Sequence, residues 1–300
     1  MKIKRFFRRY GHLYVFVLPG LLFFVLFKYL PLYNLQIAFK DYRITRPINK
    51  SEWVGLKYFS MLFTSPGFSE ALINTIKISF CKIVFGFPAP IILALLLNEV
   101  KNLRFKKMTQ TLIYLPHFIS WVVVGGIVYT MFSPSGGLVN ELLGMFGIEP
   151  IYFLGDNKYF VSSLVLSDIW KETGWGTIVY LATLSQIDQS QYEACAVDGA
   201  NRLQRIIYIT LPALKEVIVV LLIMRLGKVL TVGFEQIMIL GNPLVIPGRH
   251  VLETYTYNMG LLNLNYSLAT AAGIFLSIVA AIMVYGSDRI SKRLGGKGLV

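Results

Sequence analysis

Three ionisable residues crowd one short stretch, "SDIWKETGWG" at residues 167–176, inside a long apolar run. Asp168, Lys171 and Glu172 would lie roughly 12–18 Å along a helix that starts near residue 160, at about 1.5 Å per residue. Ionisable groups at that depth are costly in a membrane and often mark a pathway. Asp168 and Lys171 are also three residues apart, so a structural pair on one helix face is the competing interpretation.

The same stretch carries two tryptophans. Their flat faces could stack on a ring of a bound solute, although packing between helices is the simpler explanation. The candidate translocation-path residues are therefore Asp168, Trp170, Lys171, Glu172 and Trp175. Other basic residues within apolar runs pose the same choice, and those near the edge of a run are expected to snorkel to the surface; they are Lys77, Lys82, Arg225 and Lys228.

Motifs for catalysis and for metal binding are missing from the sequence. No G-x-x-x-x-G-K-[ST] phosphate loop occurs, so the chain is not expected to hydrolyse ATP itself. His12, His117 and His250 are scattered, without an H-E-x-x-H motif or a Cys/His cluster, and no metal site is predicted. No G-x-S-x-G nucleophile elbow occurs either. We expect neither an enzyme nor a bound cofactor, and assign no site to His117.

A second polar stretch, "SQYEACAVDGANRLQRIIYITLP" at residues 190–212, stands between apolar runs. Ser190 and Glu193 fit a capping box that would start a short helix. Gly199 would then supply the left-handed conformation that ends it. A further helical run leads to Pro212, which is tolerated where a helix opens. The pattern predicts helix, turn, helix and span, and an ordinary amphipathic connector is the plainer alternative.

The elements that must carry these residues are membrane helices. Hydrophobic residues make up 55% of the chain, charged residues 15%, and the mean hydropathy is +0.60. A span needs about 20 mostly apolar residues. Six segments qualify: 13–37, 72–97, 108–132, 160–184, 212–232 and 268–287. The basic start resembles a signal peptide, but its apolar part is too long and lacks a cleavage site, so we interpret it as an uncleaved span.

The placement of basic residues orients these spans. With the N-terminus inside, inner segments hold 15 Lys and Arg and outer segments hold 7, which favours both termini in the cytoplasm. The net charge of +13 therefore indicates a membrane surface and not nucleic acid. The predicted regions are a cytoplasmic N-terminus at 1–12, a first span with an outer loop at 13–67, a core at 68–288 containing a cytoplasmic loop at 185–211, and a cytoplasmic tail at 289–300.

The second polar stretch resembles the signature E-A-A-x-x-x-G-x(9)-I-x-L-P of permease subunits of binding-protein-dependent ABC importers. The matching residues are Glu193, Ala194, Gly199, Ile209, Leu211 and Pro212, and Cys195 replaces the second alanine. The run "VDGAN", with Asp198 and Ala200, is typical of the carbohydrate branch. Stretches at 114–127, 168–184 and 234–245 are similar to the maltose-type oligosaccharide and polysaccharide group.

The resemblance implies an all-α integral membrane protein with the type I importer permease fold, six transmembrane helices and a cytoplasmic coupling helix. It also implies a second, different permease, two ATP-binding subunits that hold ATP and Mg, and an external solute-binding protein, all at the cell membrane. The cargo would be oligosaccharides or polysaccharide fragments. The coupling residues implied are Glu193, Ala194, Cys195, Asp198, Gly199, Ala200, Ile209, Leu211 and Pro212.

Two other functions remain open from the sequence. The signature reports docking on an ATPase and not cargo, so a permease for a non-sugar solute fits equally. A proton-coupled secondary transporter could use Asp168, Lys171 and Glu172 as a relay. That class predicts inverted repeats and discontinuous helices, which the sequence does not reveal, and it leaves the stretch at 190–212 unexplained.

Overall fold

The computed structural model describes residues 2–293, with side chains for residue 10, residues 13–245 and residues 248–293. Residues 294–300 of the predicted tail, including Lys297, lie outside the described residues. The chain divides into two compact units. One unit comprises residues up to 64 together with 256–275, and the other comprises 65–255 together with residues from 276 onwards.

The first unit begins with a long apolar helix. Helix α1, Lys2–Phe24, continues through a π-helical turn, Val25–Tyr29, into the 3-10 helix Leu30–Phe39. A two-stranded antiparallel hairpin follows, with β1 at Lys40–Asp41 and β2 at Glu52–Trp53. Helix α2, Lys57–Thr64, comes next. The hairpin is a small departure from the all-α expectation.

A hydrogen bond fastens the hairpin of the first unit to helix α2. Tyr58 Oη donates to Asp41 Oδ1 over 2.5 Å. Burial and then this bond raise the pKa of Tyr58 to about 12, and the same bond lowers the pKa of Asp41 below its usual value. The stabilisation from Asp41 is therefore present above the ordinary carboxyl pKa and is lost as pH falls through the lowered one. The stabilisation from Tyr58 is present below the ordinary phenol pKa and is lost as pH rises towards about 12.

Replacing Tyr58 with phenylalanine removes this bond and should loosen residues 40–58. We expect a local loss of about 1–2 kcal/mol, in the range of a hydrogen bond to a charged group that is partly exposed. Hydrogen exchange of the backbone amides of 40–58 in the purified protein would measure it. Tyr33→Phe is the matched control, because Tyr33 donates only to the exposed Asn49. Equal protection in wild type and Tyr58→Phe would contradict the prediction.

The second unit is a stack of helices of very different lengths. Its helices are α3 Pro66–Cys81, α4 Pro88–Asn98, α5 Leu103–Tyr114, α6 Trp121–Met131, α7 Leu138–Gly144, α8 Asn157–Leu184, α9 Gln189–Val197, α10 Arg202–Arg205, α11 Leu211–Leu226, α12 Phe234–Leu240, α13 Ile246–Arg249 and α14 Leu252–Tyr257. The last helix, α15 at Tyr266–Arg293, begins in the first unit and ends in the second.

Three prolines are accommodated by π-helical turns. The turns Val25–Tyr29, Lys82–Gly86 and Ile206–Thr210 stand just before Pro31, Pro88 and Pro212 respectively. A proline removes one backbone donor and its ring clashes with the carbonyl four residues earlier, and a wider turn relieves both problems. Pro212 therefore does not open a new helix as predicted, because the helix runs without a break over Arg202–Leu226.

The third predicted span, 108–132, is wrong as a single helix. Helix α5 and the 3-10 turn Leu115–Phe118 meet α6 at 104°. Ser120 is the N-cap of α6, and its hydroxyl accepts a hydrogen bond from the amide of Val123. Pro116 lies in the preceding 3-10 turn. The chain thus contains one discontinuous helix, a feature that the sequence had not revealed.

Four helices of the described residues are long and apolar enough to cross a membrane, or five if the bent pair counts as one span. The four are Leu13–Phe39, Pro66–Asn98, Arg202–Leu226 and Tyr266–Arg293. Helix α8 has 28 residues, but its central ionisable residues keep it out of that count. Six spans therefore stay a prediction, and α8 is the helix on which it depends.

The core of the second unit forms two separate apolar clusters. The first includes Ile78 of α3 and Leu164 of α8, and the second includes Ala94 of α4 and Tyr180 of α8. All four side chains are buried. Lys82, on the helix Pro66–Asn98, and Asp168, Lys171 and Glu172, on α8, lie in sequence between the residues that these two helices contribute to the clusters.

Candidate functional site

The centre of the candidate site is a lysine halfway along a membrane helix. Lys82 is the middle residue of the 33-residue helix Pro66–Asn98 and stands at the start of its π-helical turn. Only 4% of Lys82 is exposed. A π-turn often marks a functional position, and a charge this deep needs partners.

Lys82 finds an acceptor for each of its three ammonium protons. Its Nζ lies 2.8 Å from Asp168 Oδ1, 2.8 Å from the Val232 carbonyl and 2.6 Å from Gln236 Oε1. Gln236 is itself fixed, because its amide donates to the Leu164 carbonyl over 2.7 Å. The pairing of Asp168 with Lys171 expected from their spacing is wrong: Asp168 pairs with Lys82 on another helix. Periodicity could place Asp168 on a helix face but could not identify the residue opposite it.

A second cation approaches the other oxygen of Asp168. Arg225 Nη2 lies 3.7 Å from Asp168 Oδ2, which is beyond hydrogen-bond distance, and 40% of the Arg225 side chain is exposed. Asp168 itself is 15% exposed. Arg225 thus lies at the solvent-exposed edge of the network, whereas Lys82 lies at its buried end.

Lys171 donates hydrogen bonds at the bend between α5 and α6. Its Nζ donates to the carbonyls of His117, at 2.7 Å, and Pro116, at 3.4 Å. These carbonyls end the first half of the bent pair, where helical acceptors lack partners and the dipole favours a cation. Helix α8 comes close here because Gly174 has no side chain, and an added Cβ would lie 1.8 Å from the Ile113 carbonyl oxygen. Lys171 is therefore a positioning residue, and its spacing from Asp168 is incidental.

Replacing Lys171 with methionine should lower the free energy of unfolding by about 2 kcal/mol. The reason is that the partly buried His117 carbonyl loses its donor, at about 1–3 kcal/mol for an unsatisfied group, whereas the Pro116 carbonyl keeps the Ile119 amide at 3.2 Å. The measurement is the melting temperature of the purified protein in detergent. Lys158→Met is the matched control, since Lys158 is an exposed lysine at the start of the same helix. Equal melting of both variants would refute the role of Lys171.

Glu172 and His117 form a second pair beside Lys171. His117 Nδ1 lies 2.8 Å from Glu172 Oε2, and Lys171 Nζ lies 3.5 Å from Glu172 Oε1. The His117 ring stacks on the indole of Trp175, with 4.6 Å between centroids and 4° between planes. The sequence pattern assigned no site to His117. Its position two residues from the break, facing a carboxylate 55 residues later, carries no signal in a single sequence.

A cavity of about 410 Å³ opens beside these groups. Its lining includes Lys82, Trp121, Asp168, Glu172, Trp175 and Arg225. Three of the five predicted path residues therefore face the cavity, whereas Trp170 and Lys171 are not in its lining. Trp170 is 46% exposed elsewhere, and Lys77 and Lys228 are exposed as well.

The polar segment at 188–212, which the family resemblance implies to be a coupling segment, starts differently from the prediction. Asp188, and not Ser190, caps helix α9 by accepting the amide of Ser190 over 3.0 Å. That bond lowers the pKa of the Asp188 carboxyl, so the cap weakens as pH falls through the lowered pKa. A capping box does occur in the segment, but between Asn201 and Gln204 at the start of α10. The predicted box at Ser190 and Glu193 is wrong because the helix begins two residues earlier, with Asp188 as its N-cap.

Gly199 ends helix α9 in the predicted left-handed conformation, with a φ of +79°. The amide of Ala200 donates to the Cys195 carbonyl over 2.9 Å, and that of Gly199 to the Ala196 carbonyl over 3.1 Å. This pair of bonds is the Schellman arrangement, which favours glycine at the left-handed position. The turn therefore has a fixed geometry, set by one residue.

Hydrogen bonds tie the coupling segment into one body. The hydroxyls of Tyr192 and Thr210 are 3.0 Å apart, and Arg205 Nε donates to the Ala200 carbonyl over 3.2 Å. Helix α9 has no buried residue, and Val197 is 88% exposed. The remaining residues matched to the signature are exposed or half-buried: Glu193, Ala194, Cys195, Asp198, Ala200, Ile209, Leu211 and Pro212. The segment therefore presents an exposed surface whose two halves are joined by these hydrogen bonds.

Comparisons with known proteins agree with this architecture. The family described as "Binding-protein-dependent transport system inner membrane component" matches residues 86–295. Among curated relatives, the chain is 46% identical to Protein LplB of Bacillus subtilis, over 96% of this chain and 90% of LplB. It is 45% identical to the polygalacturonan/rhamnogalacturonan transport system permease protein YteP of the same organism, over 96% of this chain and 90% of YteP.

Solved structures of similar fold come from a bacterial ABC transporter involved in the import of the acidic polysaccharide alginate. One of its chains superposes with a TM-score of 0.89 and 42% identity, covering 98% of this chain and 99% of that chain. A second structure, in complex with an alginate pentasaccharide-bound periplasmic protein, gives a TM-score of 0.90 and 41% identity, with full coverage of both chains.

Proposed function

Since this chain belongs to the family of binding-protein-dependent transport system inner membrane components, we propose that it is a permease subunit of an ATP-driven importer of oligosaccharides or polysaccharide fragments. The observation that carries the proposal is similarity over the whole chain to permeases of that kind. YteP is named for polygalacturonan and rhamnogalacturonan transport, and the structural relatives come from an alginate importer. The coverage includes both the cavity and the coupling segment.

The cavity of the second unit is our candidate for this chain's share of the translocation path. It lies halfway along the helix Pro66–Asn98, between two apolar clusters. Trp175 offers one ring face to the cavity while His117 supports the ring. An aromatic face suits the apolar face of a sugar ring, and polar groups beside it suit the hydroxyls. Asp168, Glu172 and Trp175 are the path residues in this proposal.

The coupling segment would receive the motion of the ATP-binding subunits. Its exposed helix α9, closed by Gly199 and braced by Tyr192 and Thr210, behaves as a short lever. ATP and Mg would be bound by those partner subunits and not by this chain. After the turn at Gly199 the chain enters the helix Arg202–Leu226, which carries Arg225 at the cavity. A displacement at α9 therefore has a direct covalent route to the site.

The remaining parts of the proposal follow from the positive-inside rule and from the relatives. Both termini and residues 185–211 would face the cytoplasm. A second, different permease would complete the path, and an external solute-binding protein would deliver the cargo at the cell membrane. The structural relative crystallised with a periplasmic binding protein supports this last partner.

The test is uptake by the complete importer in proteoliposomes: this permease, its partner permease, the ATP-binding subunits and the solute-binding protein. We expect uptake of a labelled oligogalacturonate when ATP is enclosed with the ATP-binding subunits and the binding protein is on the opposite side. ADP in place of ATP is the control. Uptake that persists with ADP and collapses with a protonophore would overturn the proposal in favour of a secondary transporter.

The geometry itself argues against that alternative. Asp168 pairs with Lys82, and Lys171 donates to backbone carbonyls, which counts against a proton relay along α8. The discontinuous helix formed by α5 and α6 is a feature shared with secondary transporters. Here the carbonyls of Pro116 and His117, at the end of its first half, accept from Lys171, and neither residue lines the cavity.

A further inference from the structure

The charges that line the cavity are not equally satisfied. Asp168 and Glu172 are its two acids, and Lys82 and Arg225 are its two bases. Lys82 donates its three ammonium protons to acceptors at 2.6–2.8 Å. Arg225 has five donor protons, yet its one ion pair among the described residues is the 3.7 Å approach to Asp168. The cation with spare hydrogen-bonding capacity is therefore Arg225.

The acids, in contrast, already have partners. Asp168 Oδ1 is taken by Lys82 at 2.8 Å. Glu172 lies 2.8 Å from His117 Nδ1 with one oxygen and 3.5 Å from Lys171 with the other. The nearby Glu253 carboxylate accepts from the backbone amides of Val232 and Gly233. Arg225 is left with the 3.7 Å approach to Asp168, whose other oxygen is bound by Lys82, and 40% of its side chain is exposed.

We propose that Arg225 binds a carboxylate of the passing solute, so that the cavity prefers oligosaccharides that contain uronic acid over neutral ones. This inference rests on the proposed function and names the chemical class of its cargo. A guanidinium matches a carboxylate with two parallel hydrogen bonds, which gives both strength and orientation. Trp175 lines the same cavity and would hold the apolar face of a sugar ring.

The position of Arg225 couples the contact to the transport cycle. Arg225 lies in the last turn of α11, at the far end of the continuous helix Arg202–Leu226 that follows the coupling segment. A shift of that helix would move the guanidinium relative to Asp168, which is on α8. The carboxylate of the solute and that of Asp168 would then compete for Arg225, and the competition would limit how tightly the solute is held.

The test compares trigalacturonate with its carboxyl-reduced counterpart, a neutral galactose trimer, in the complete importer in proteoliposomes. The affinity of the binding protein for each trimer is measured separately, and uptake is measured with the binding protein saturated. We expect Arg225→Gln to lower the uptake of trigalacturonate at least tenfold and that of any transported neutral trimer less than threefold. Arg225→Lys, which keeps the charge but not the planar fork, should retain an intermediate rate with the acid.

Lys228→Gln is the matched control, since Lys228 is an exposed cation close in the chain and is absent from the cavity lining. It should stay within twofold of wild type. Equal loss of acidic and neutral uptake in Arg225→Gln, together with a lowered melting temperature, would reduce Arg225 to a structural partner of Asp168. A binding protein that accepts only the neutral trimer would also overturn the inference. If wild type transports no oligosaccharide at all, the proposed function fails instead.

Discussion

Replacing Asp168 with asparagine should destabilise the protein by about 3–5 kcal/mol, the cost of leaving a buried charge without its partner. Lys82 is 4% exposed and depends on Asp168 for its counter-charge. The Val232 carbonyl and Gln236 would remain as acceptors, but neither carries a charge. The melting temperature of the purified protein in detergent is the measurement.

A double-mutant cycle makes this prediction specific to the pair. Lys82→Met alone leaves the Asp168 carboxylate with Arg225, 3.7 Å away, as its counter-charge. We expect a comparable loss of stability, because the partly buried oxygen Oδ1 loses its donor. The double variant removes both charges and should recover much of the stability, because a buried ion pair is often replaceable as a unit. Lys77→Met is the control, as Lys77 lies on the same helix and is exposed. A double variant as unstable as the sum of the two singles would contradict the pairing.

Replacing Gly199 with aspartate should abolish coupled transport, with at least a tenfold loss of uptake, while the protein remains folded and inserted. The backbone at Gly199 has a φ of +79°, where a side chain costs about 1–2 kcal/mol. A Cβ there would meet no atom of the described residues within 4 Å. The new side chain would therefore project from the exposed surface of the coupling segment, into the space that a docking partner needs.

Gly136 provides the matched control for strain. Its φ is +72°, and an added Cβ would also meet nothing within 4 Å, but it lies in the segment 133–159, which we predict to be external. Gly136→Asp should carry the same backbone cost and leave uptake close to wild type. Uptake and ATP hydrolysis by the complete importer in proteoliposomes are the measurements. If both variants lose uptake equally, strain is the cause, and if Gly199→Asp transports normally, the coupling assignment fails.

Much of the fold could be predicted because it depends on local chemistry. Long apolar runs predicted the helices Leu13–Phe39, Pro66–Asn98 and Tyr266–Arg293 to within several residues. Gly199 was correctly predicted to be left-handed, since the conformation is a property of one residue. The family signature in the same segment gave the family, which the matched residues 86–295 confirm.

The errors arose where two local signals compete. Ser190 and Glu193 have the spacing of a capping box, but Asp188 stands two residues earlier and takes the role. Because the apolar run continues through residues 119 and 120, hydropathy predicted one third span, but the chain bends there by 104°. Proline and serine near the bend were visible, but similar prolines at 31, 88 and 212 only widen a turn. The surrounding packing decides which outcome occurs.

The sequence by itself determined that this is a helical membrane protein, that a punctuated polar segment interrupts its apolar runs, and which family it belongs to. Hydrophobicity, turn chemistry and a motif of long spacing are all properties of neighbouring residues. Only the tertiary structure decided the partners of the charges: Lys82 for Asp168, the carbonyls of Pro116 and His117 for Lys171, and His117 for Glu172. These hydrogen bonds and ion pairs between helices join residues 54–86 apart in the chain, and a single sequence does not show which helix packs against which.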